Sequence, residues 1–197
     1  MGTQRSEYGQ TQSDGRAVST VNRRLLQKHN QKASRYPKII VASQPDTERM
    51  PGYPVPWCCI SITGPRDSDA RVPEMNRVGI LRLKFDDVTA QSNWGRDYVL
   101  FSPEQARQVL DFAKAMWPKA SIIHIHCWAG ISRSSGTAAA LSKIYFGDDG
   151  KFVKTPNGFC PNSLVYRTIL DVHAAELATA KLTRQQEVLK RRKVTPI

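Results

Sequence analysis

Ser121-Ile122-Ile123-His124-Ile125-His126-Cys127-Trp128-Ala129-Gly130-Ile131-Ser132-Arg133-Ser134-Ser135 is the stretch on which the reading of this chain turns. Residues 121–126 are apolar and β-branched, the composition of a buried strand. Cys127 to Ser132 form a short loop. Ser134 to Phe146, dense in alanine, forms a helix that Gly147 stops. A strand, a tight loop and a helix N-terminus in succession put backbone N–H groups and the positive end of a helix dipole where an anion can sit. Gly130 supplies the backbone freedom that such a curl demands.

A phosphoester hydrolase that works without a metal needs a nucleophile ionised near neutral pH, donors for the phosphoryl oxygens, and an acid for the leaving alcohol. Cys127 meets the first need, since a helix N-terminus and a nearby cation bring a thiol pKa down to ~3.5–7.5. The backbone amides of Trp128, Ala129, Gly130, Ile131, Ser132 and Arg133 supply the donors. Arg133 adds a planar fork for two phosphoryl oxygens, which lysine cannot match, and stabilises transition-state charge. Ser134 can hydrogen-bond the sulfur and assist its departure. His126 is read as ordering the loop through backbone hydrogen bonds rather than transferring protons. Cys-x5-Arg alone is a weak signal. With His before it, Gly at the third loop position and Ser after Arg, chance occurrence falls to roughly 1 in 10,000 chains.

Outward from this loop, Lys38 to Ala42, Trp57 to Ile62 and Gly79 to Phe85 read as further strands. In the third, Leu81, Leu83 and Phe85 share a face. Pro45, Pro51, Gly52, Pro54 and Pro56 enforce a loop between the first two, and residues 66–77 are charged and loop-like. Ser102, Pro103 and Gln105 form a capping box for a helix carrying Ala106, Val109, Leu110, Ala113 and Met116 at helical spacing. Asn162 caps a last helix running to about Ala180 or beyond. Strands followed by helices predict an α/β fold around a central, mostly parallel sheet of four to five strands flanked by helices. Ligands in such sheets bind beyond the carboxyl ends of the strands, where this loop lies.

The formal net charge of +12 is concentrated at the ends. Residues 1–38 hold eight Lys or Arg against Glu7 and Asp14, and residues 181–197 hold six against Glu187, which leaves the middle near neutral at +1. Three regions follow: a basic, disordered tail over 1–35, a catalytic domain over 36–180, and a basic C-terminal tail over 181–197. The tails could hold RNA or another anionic surface; the plainer reading is solvated termini. Neither interleaves aromatics with its charges as a single-strand stacking platform would. There is no apolar run long enough to span a membrane and no apolar leader, so a cytoplasmic protein is expected. Cys58, Cys59, Cys127 and Cys160 include no C-x-x-C pair, and reduced thiols are expected.

His-Cys-x-x-Gly-x-x-Arg-Ser resembles the signature loop of the cysteine-dependent protein-tyrosine phosphatases, and the compact chain resembles their dual-specificity branch. HCWAGISRSS looks especially like small bacterial and viral members. The resemblance covers about residues 38–178 and implies a cysteinyl-phosphate intermediate with no metal and no cofactor. It also implies an aspartic acid on a loop upstream, for which Leu83-Lys84-Phe85-Asp86-Asp87-Val88 fits. Asp87 is preferred because the family places the acid two residues after the strand's last aromatic or apolar residue. Asp86 is the alternative and Asp97 a more remote one. Such an acid protonates the leaving oxygen and then activates water. Asn162 matches an Asn at a helix start in related phosphatases, with capping as its expected job.

His124 and His126 share a strand face, but Cys127 points away from it, and no His/Cys set completes a tetrahedral metal site. A phosphate-binding module without turnover is a rival, as is an RNA 5′-phosphatase. The loop interior carries no lysine, which disfavours highly phosphorylated inositols. A phosphoprotein is the expected substrate, phosphotyrosine first and phosphoserine or phosphothreonine after it. Trp128 either borders the pocket mouth or packs behind the loop, and Trp94 either pins or anchors the segment after the acid.

Overall fold

A computed structural model describes residues 36–90, 97–153 and 158–193, with side chains as far as 189. The expectations for the N-terminal tail and Trp94 lie outside these residues. The elements run β1 (Lys38–Ser43), α1 (Gln44–Arg49), β2 (Trp57–Thr63), β3 (Arg77–Lys84), α2 (Pro103–Met116), β4 (Ile122–Cys127), α3 (Arg133–Phe146), α4 (Gly150–Val153) and α5 (Ser163–Lys193). The four strands form one sheet in the order β1-β4-β2-β3, and every pairing is parallel.

Period-two alternation along the strands decides what each face buries. Cys58, Ile60 and Ile62 of β2 join Ile123, Ile125 and Cys127 of β4 on one face, under α2, α3 and α5. Trp57 and Cys59 turn to the other face, where they pack with Ala70, Val72 and Tyr53. The capping box at Ser102 and Gln105 is present in both directions. Gly147 ends α3 in the left-handed conformation, at φ 73°.

The chain departs from the sequence reading at α1 and at α5. The first part of the proline-rich loop is helical: Ser43 accepts from Asp46 N and Pro45 occupies the first turn, so α1 is a capped helix followed by the loop. That signal stood in Ser43-Gln44-Pro45-Asp46 and was overridden by the density of prolines after it. At the other end, α5 continues unbroken through residues 181–193, the region expected as a tail. No residue of α5 after Val172 is buried as far as 189.

The histidine-bearing face of β4 shows how burial sets charge. Thr47 Oγ1 donates to Ser43 O at 2.8 Å, so its oxygen accepts from His124 Nε2 at 2.9 Å. Tyr53 OH then donates to His124 Nδ1 at 2.9 Å. This network holds a neutral imidazole. Burial first, then the neighbouring His126, brings the His124 pKa down to about 4, and burial does the same for His126. An unfolded chain binds these protons near pH 6.5, whereas the folded one waits until about pH 4. Stability is therefore expected to be full above pH 6.5 and to fall by on the order of 3 kcal/mol for each ring as pH drops to 4. Urea unfolding at several pH values checks this, and a flat profile through that window would exclude both rings as buried neutral groups.

Candidate active site

Cys127 is the last residue of β4, which lies between β1 and β2 and pairs in parallel with both. The loop that follows therefore sits at the switch point of a parallel sheet, where side chains and amides are free to meet a ligand. Three of its carbonyls are taken from outside. Trp128 O accepts from Gln44 N at 3.1 Å, Ile131 O from Cys160 N at 3.0 Å, and Ser132 O from Asn162 N at 3.0 Å. Ser135 Oγ donates to Ile131 O and, at 3.1 Å, to Ser132 O. In a trans peptide each outward carbonyl turns the next residue's N–H the opposite way. The amides of Ala129, Ser132 and Arg133 are thus directed to the inside of the curl.

Gly130 carries the sharpest backbone requirement. Its φ is +72°, and a Cβ there would lie 2.7 Å from Ala42 C and Ser43 N. The loop is pressed onto the end of β1 with no room for a side chain, and the left-handed conformation is costly for any other residue. Gly130→Ala is expected to displace the loop and lower kcat on an aryl phosphate by about 10²-fold, the cost of misplacing a site by about 1 Å. Wild-type turnover in this variant would show that the loop tolerates the shift.

At the centre, Cys127 Sγ lies 3.1 Å from Ser134 Oγ. Burial by itself pushes the thiol pKa up, but four effects outweigh it: the Ser134 hydroxyl, the amides of Ser134 and Gly130, and the Arg133 guanidinium. Together they hold it below its ordinary value. The contrast is with Cys58, pushed up to about 12 by burial alone, and Cys59, pushed up further. Those two are inert core thiols, whereas the Cys127 sulfur is stabilised as an anion.

Arg133 is buried, with its side chain only 9% exposed. Its Nη1 donates to Phe85 O at 2.9 Å. Nε has no hydrogen-bond partner among the described residues, and Asp87 Oδ2 stands 4.0 Å from it. A buried guanidinium with an unused donor fits an anion as its missing partner.

The two adjacent acids diverge. Asp86 Oδ2 accepts from Val99 N at 2.9 Å, while Asp86 N donates to Val99 O at 2.8 Å, which ties this residue to the returning chain. Asp87 instead reaches the loop: its Oδ1 accepts from Ser132 Oγ at 2.7 Å and Asn162 Nδ2 at 2.9 Å. The structure thus brings Asp87, Ser132, Arg133 and Asn162 together and directs Asp86 elsewhere. An open groove of about 600 Å³ runs alongside, lined by Asp87, Val88, Thr89, Ser132, Pro161 and Asn162.

Two expectations need correction or completion. His126 is fully buried, and neither ring nitrogen makes a hydrogen bond among the described residues; it approaches the Cys127 backbone without bonding geometry. Its ring therefore makes none of the backbone hydrogen bonds expected to order the loop. Asn162 does cap α5, its Oδ1 accepting from Leu164 N and Val165 N at 3.1 Å each. Its second job, donating to Asp87, carried no local signal, since the two residues are 75 positions apart. Trp128 is 64% and Ile131 44% exposed, so both side chains stand on the rim and not behind the loop.

This four-stranded parallel sheet flanked by helices is a fold shared with solved structures. The solved structure of PTPMT1 in complex with PI(5)P matches with a TM-score of 0.50 at 14% identity, covering 73% of this chain and 94% of that one. The human tyrosine phosphatase-like serine/threonine/tyrosine-interacting protein matches at 0.49 and 15% identity, covering 71% and 93%. A mouse putative dual specificity phosphatase complexed with zinc tungstate matches at 0.48 and 16%, covering 74% and 90%. At such identities the likeness concerns the fold; the bacterial and viral resemblance rests on the loop sequence. No protein-family profile and no curated protein matches the chain. Among the described residues no helix is long and apolar enough to cross a membrane.

Proposed function

We propose that this chain hydrolyses phosphate monoesters through a cysteinyl-phosphate intermediate, with phosphotyrosine-bearing proteins as the first substrate class. The observation that carries the reading is the Cys127 sulfur held 3.1 Å from Ser134 Oγ at the base of a loop whose Trp128, Ile131 and Ser132 carbonyls are bonded outward. In the first step the thiolate attacks phosphorus, an S–P bond forms, and the P–O bond to the leaving group breaks. Asp87 gives its proton to the departing oxygen. In the second step water attacks phosphorus, Asp87 takes the proton, and the S–P bond breaks to release phosphate. Ser134 eases this last event by hydrogen-bonding the returning thiolate. Arg133 and the loop amides balance the charge that develops on the equatorial oxygens in both steps.

The rim of the loop favours an aromatic substrate. Trp128 and Ile131 offer exposed apolar surface beside a pocket whose loop interior has no lysine. An aromatic phosphoester gains from such a rim, whereas a polyphosphorylated headgroup needs several cations. PTPMT1, solved with PI(5)P, is therefore not followed in its ligand.

The test is substrate trapping: Cys127→Ser protein is incubated with cell lysate and the retained phosphorylated species are identified. Phosphotyrosine proteins displaced by vanadate are expected. Retained RNA instead would favour a 5′-phosphatase aided by the exposed Lys181 and Arg184 of α5. Retention of ligand by a wild-type protein that never turns over an aryl phosphate would favour a non-catalytic module.

A further inference from the structure

The residue that fixes the acid in place stands 75 positions after it. We propose that Asn162, seconded by Ser132, is a positioning residue that determines which oxygen of Asp87 carries the catalytic proton. This rests on the preceding assignment of Asp87 as the acid.

Asn162 is 4% exposed, and every part of it is engaged. Its backbone N–H donates to Ser132 O, and its backbone carbonyl accepts from Tyr166 N, both at 3.0 Å. The α3 residue Gly136 lies against this backbone so closely that a Cβ there would come within 2.8 Å of Asn162 O. The side-chain Oδ1 is consumed by two backbone donors, Leu164 N and Val165 N. That leaves no choice of amide orientation: Nδ2 must face the acid segment. There it donates to Asp87 Oδ1 at 2.9 Å and to Val88 O at 3.3 Å.

Asp87 Oδ1 thereby accepts two hydrogen bonds, from Asn162 and from Ser132 Oγ at 2.7 Å. An oxygen accepting from two donors is the carbonyl-type oxygen of a carboxylic acid, so the proton resides on Oδ2. Oδ2 is the oxygen on the side of Arg133, 4.0 Å from Nε. Proton and phosphate clamp are thus placed together, and the lone pairs that would otherwise compete for the proton are occupied. Capping alone needs only the oxygen of residue 162. The donor on Nδ2 is surplus to the helix and is aimed at the acid.

The roles separate by substitution. Asn162→Asp and Asn162→Ser both keep an oxygen that can cap α5, but neither donates to Asp87, and Asn162→Asp sets a like charge against it. Ser132→Ala removes the second donor. Aryl phosphates of graded leaving-group pKa are the substrates, and the readout is the slope of log kcat/KM against that pKa, alongside the pH midpoint of iodoacetamide inactivation of Cys127. The Asn162 variants and Ser132→Ala are expected to steepen the slope toward that of Asp87→Asn, with a loss of about tenfold or more for phenyl phosphate. The inactivation midpoint is expected to stay in place. Wild-type slopes in the Asn162 and Ser132 variants, with a steep slope in Asp87→Asn, would reduce Asn162 to a cap and overturn the proposal. A wild-type slope in Asp87→Asn would remove the acid assignment itself, and the proposal with it.

Discussion

Cys127→Ser protein is expected to lose hydrolysis of an aryl phosphate by about 10⁴-fold or more, the scale seen when a covalent nucleophile is removed. The loss has a specific physical origin. A serine hydroxyl remains protonated near neutral pH, and the surrounding amides and Arg133 stabilise an anion that serine does not supply. The wild-type protein is expected to become phosphate-labelled on rapid quenching and the variant not. Iodoacetamide should inactivate the wild type with a pH midpoint below the ordinary thiol value of 9.0, because Ser134, two amides and Arg133 outweigh burial around the sulfur. Ser134→Ala removes the largest of the lowering effects and should move that midpoint up. Undiminished turnover in Cys127→Ser would mean that the nucleophile is another group.

Arg133→Lys is expected to lower kcat by about 10²–10³-fold, comparable to removing a preorganised donor from an anion hole. Charge is conserved in this substitution, so the loss isolates geometry. Lysine cannot fork across two phosphoryl oxygens as the planar guanidinium does. In the structure Nη1 is spent on Phe85 O, two residues before Asp87, while Nε faces Asp87 Oδ2 with no hydrogen-bond partner among the described residues. Phosphate or vanadate affinity should fall together with kcat, measured by inhibition constants in the same assay. Retention of both would show that charge alone suffices and that the planar fork is incidental.

Much of the scaffold was legible from periodicity. The strand ending at Cys127, the capping box at Ser102 and the helix stopped at Gly147 all stand within a residue or two of the expected positions, because each has a local cause. The short helix α1 was hidden by the prolines that follow it, although its cap was written in Ser43 to Asp46. The hydrogen-bonding role expected of His126 finds no partner for either ring nitrogen among the described residues, and no local pattern shows how a ring buried in the sheet is surrounded.

What the sequence determined by itself was the strand-loop-helix unit around Cys127 and Gly130, since strand burial, turn and helix start each depend on neighbours within a few positions. Which of two adjacent aspartates meets that unit was decided only by the tertiary structure. Asp86 and Asp87 have the same side chain and nearly the same place in the chain. Val99 claims one, while Ser132 and Asn162 claim the other. Those partners lie 13, 45 and 75 residues away, and only folding brings their donors within reach of a carboxylate.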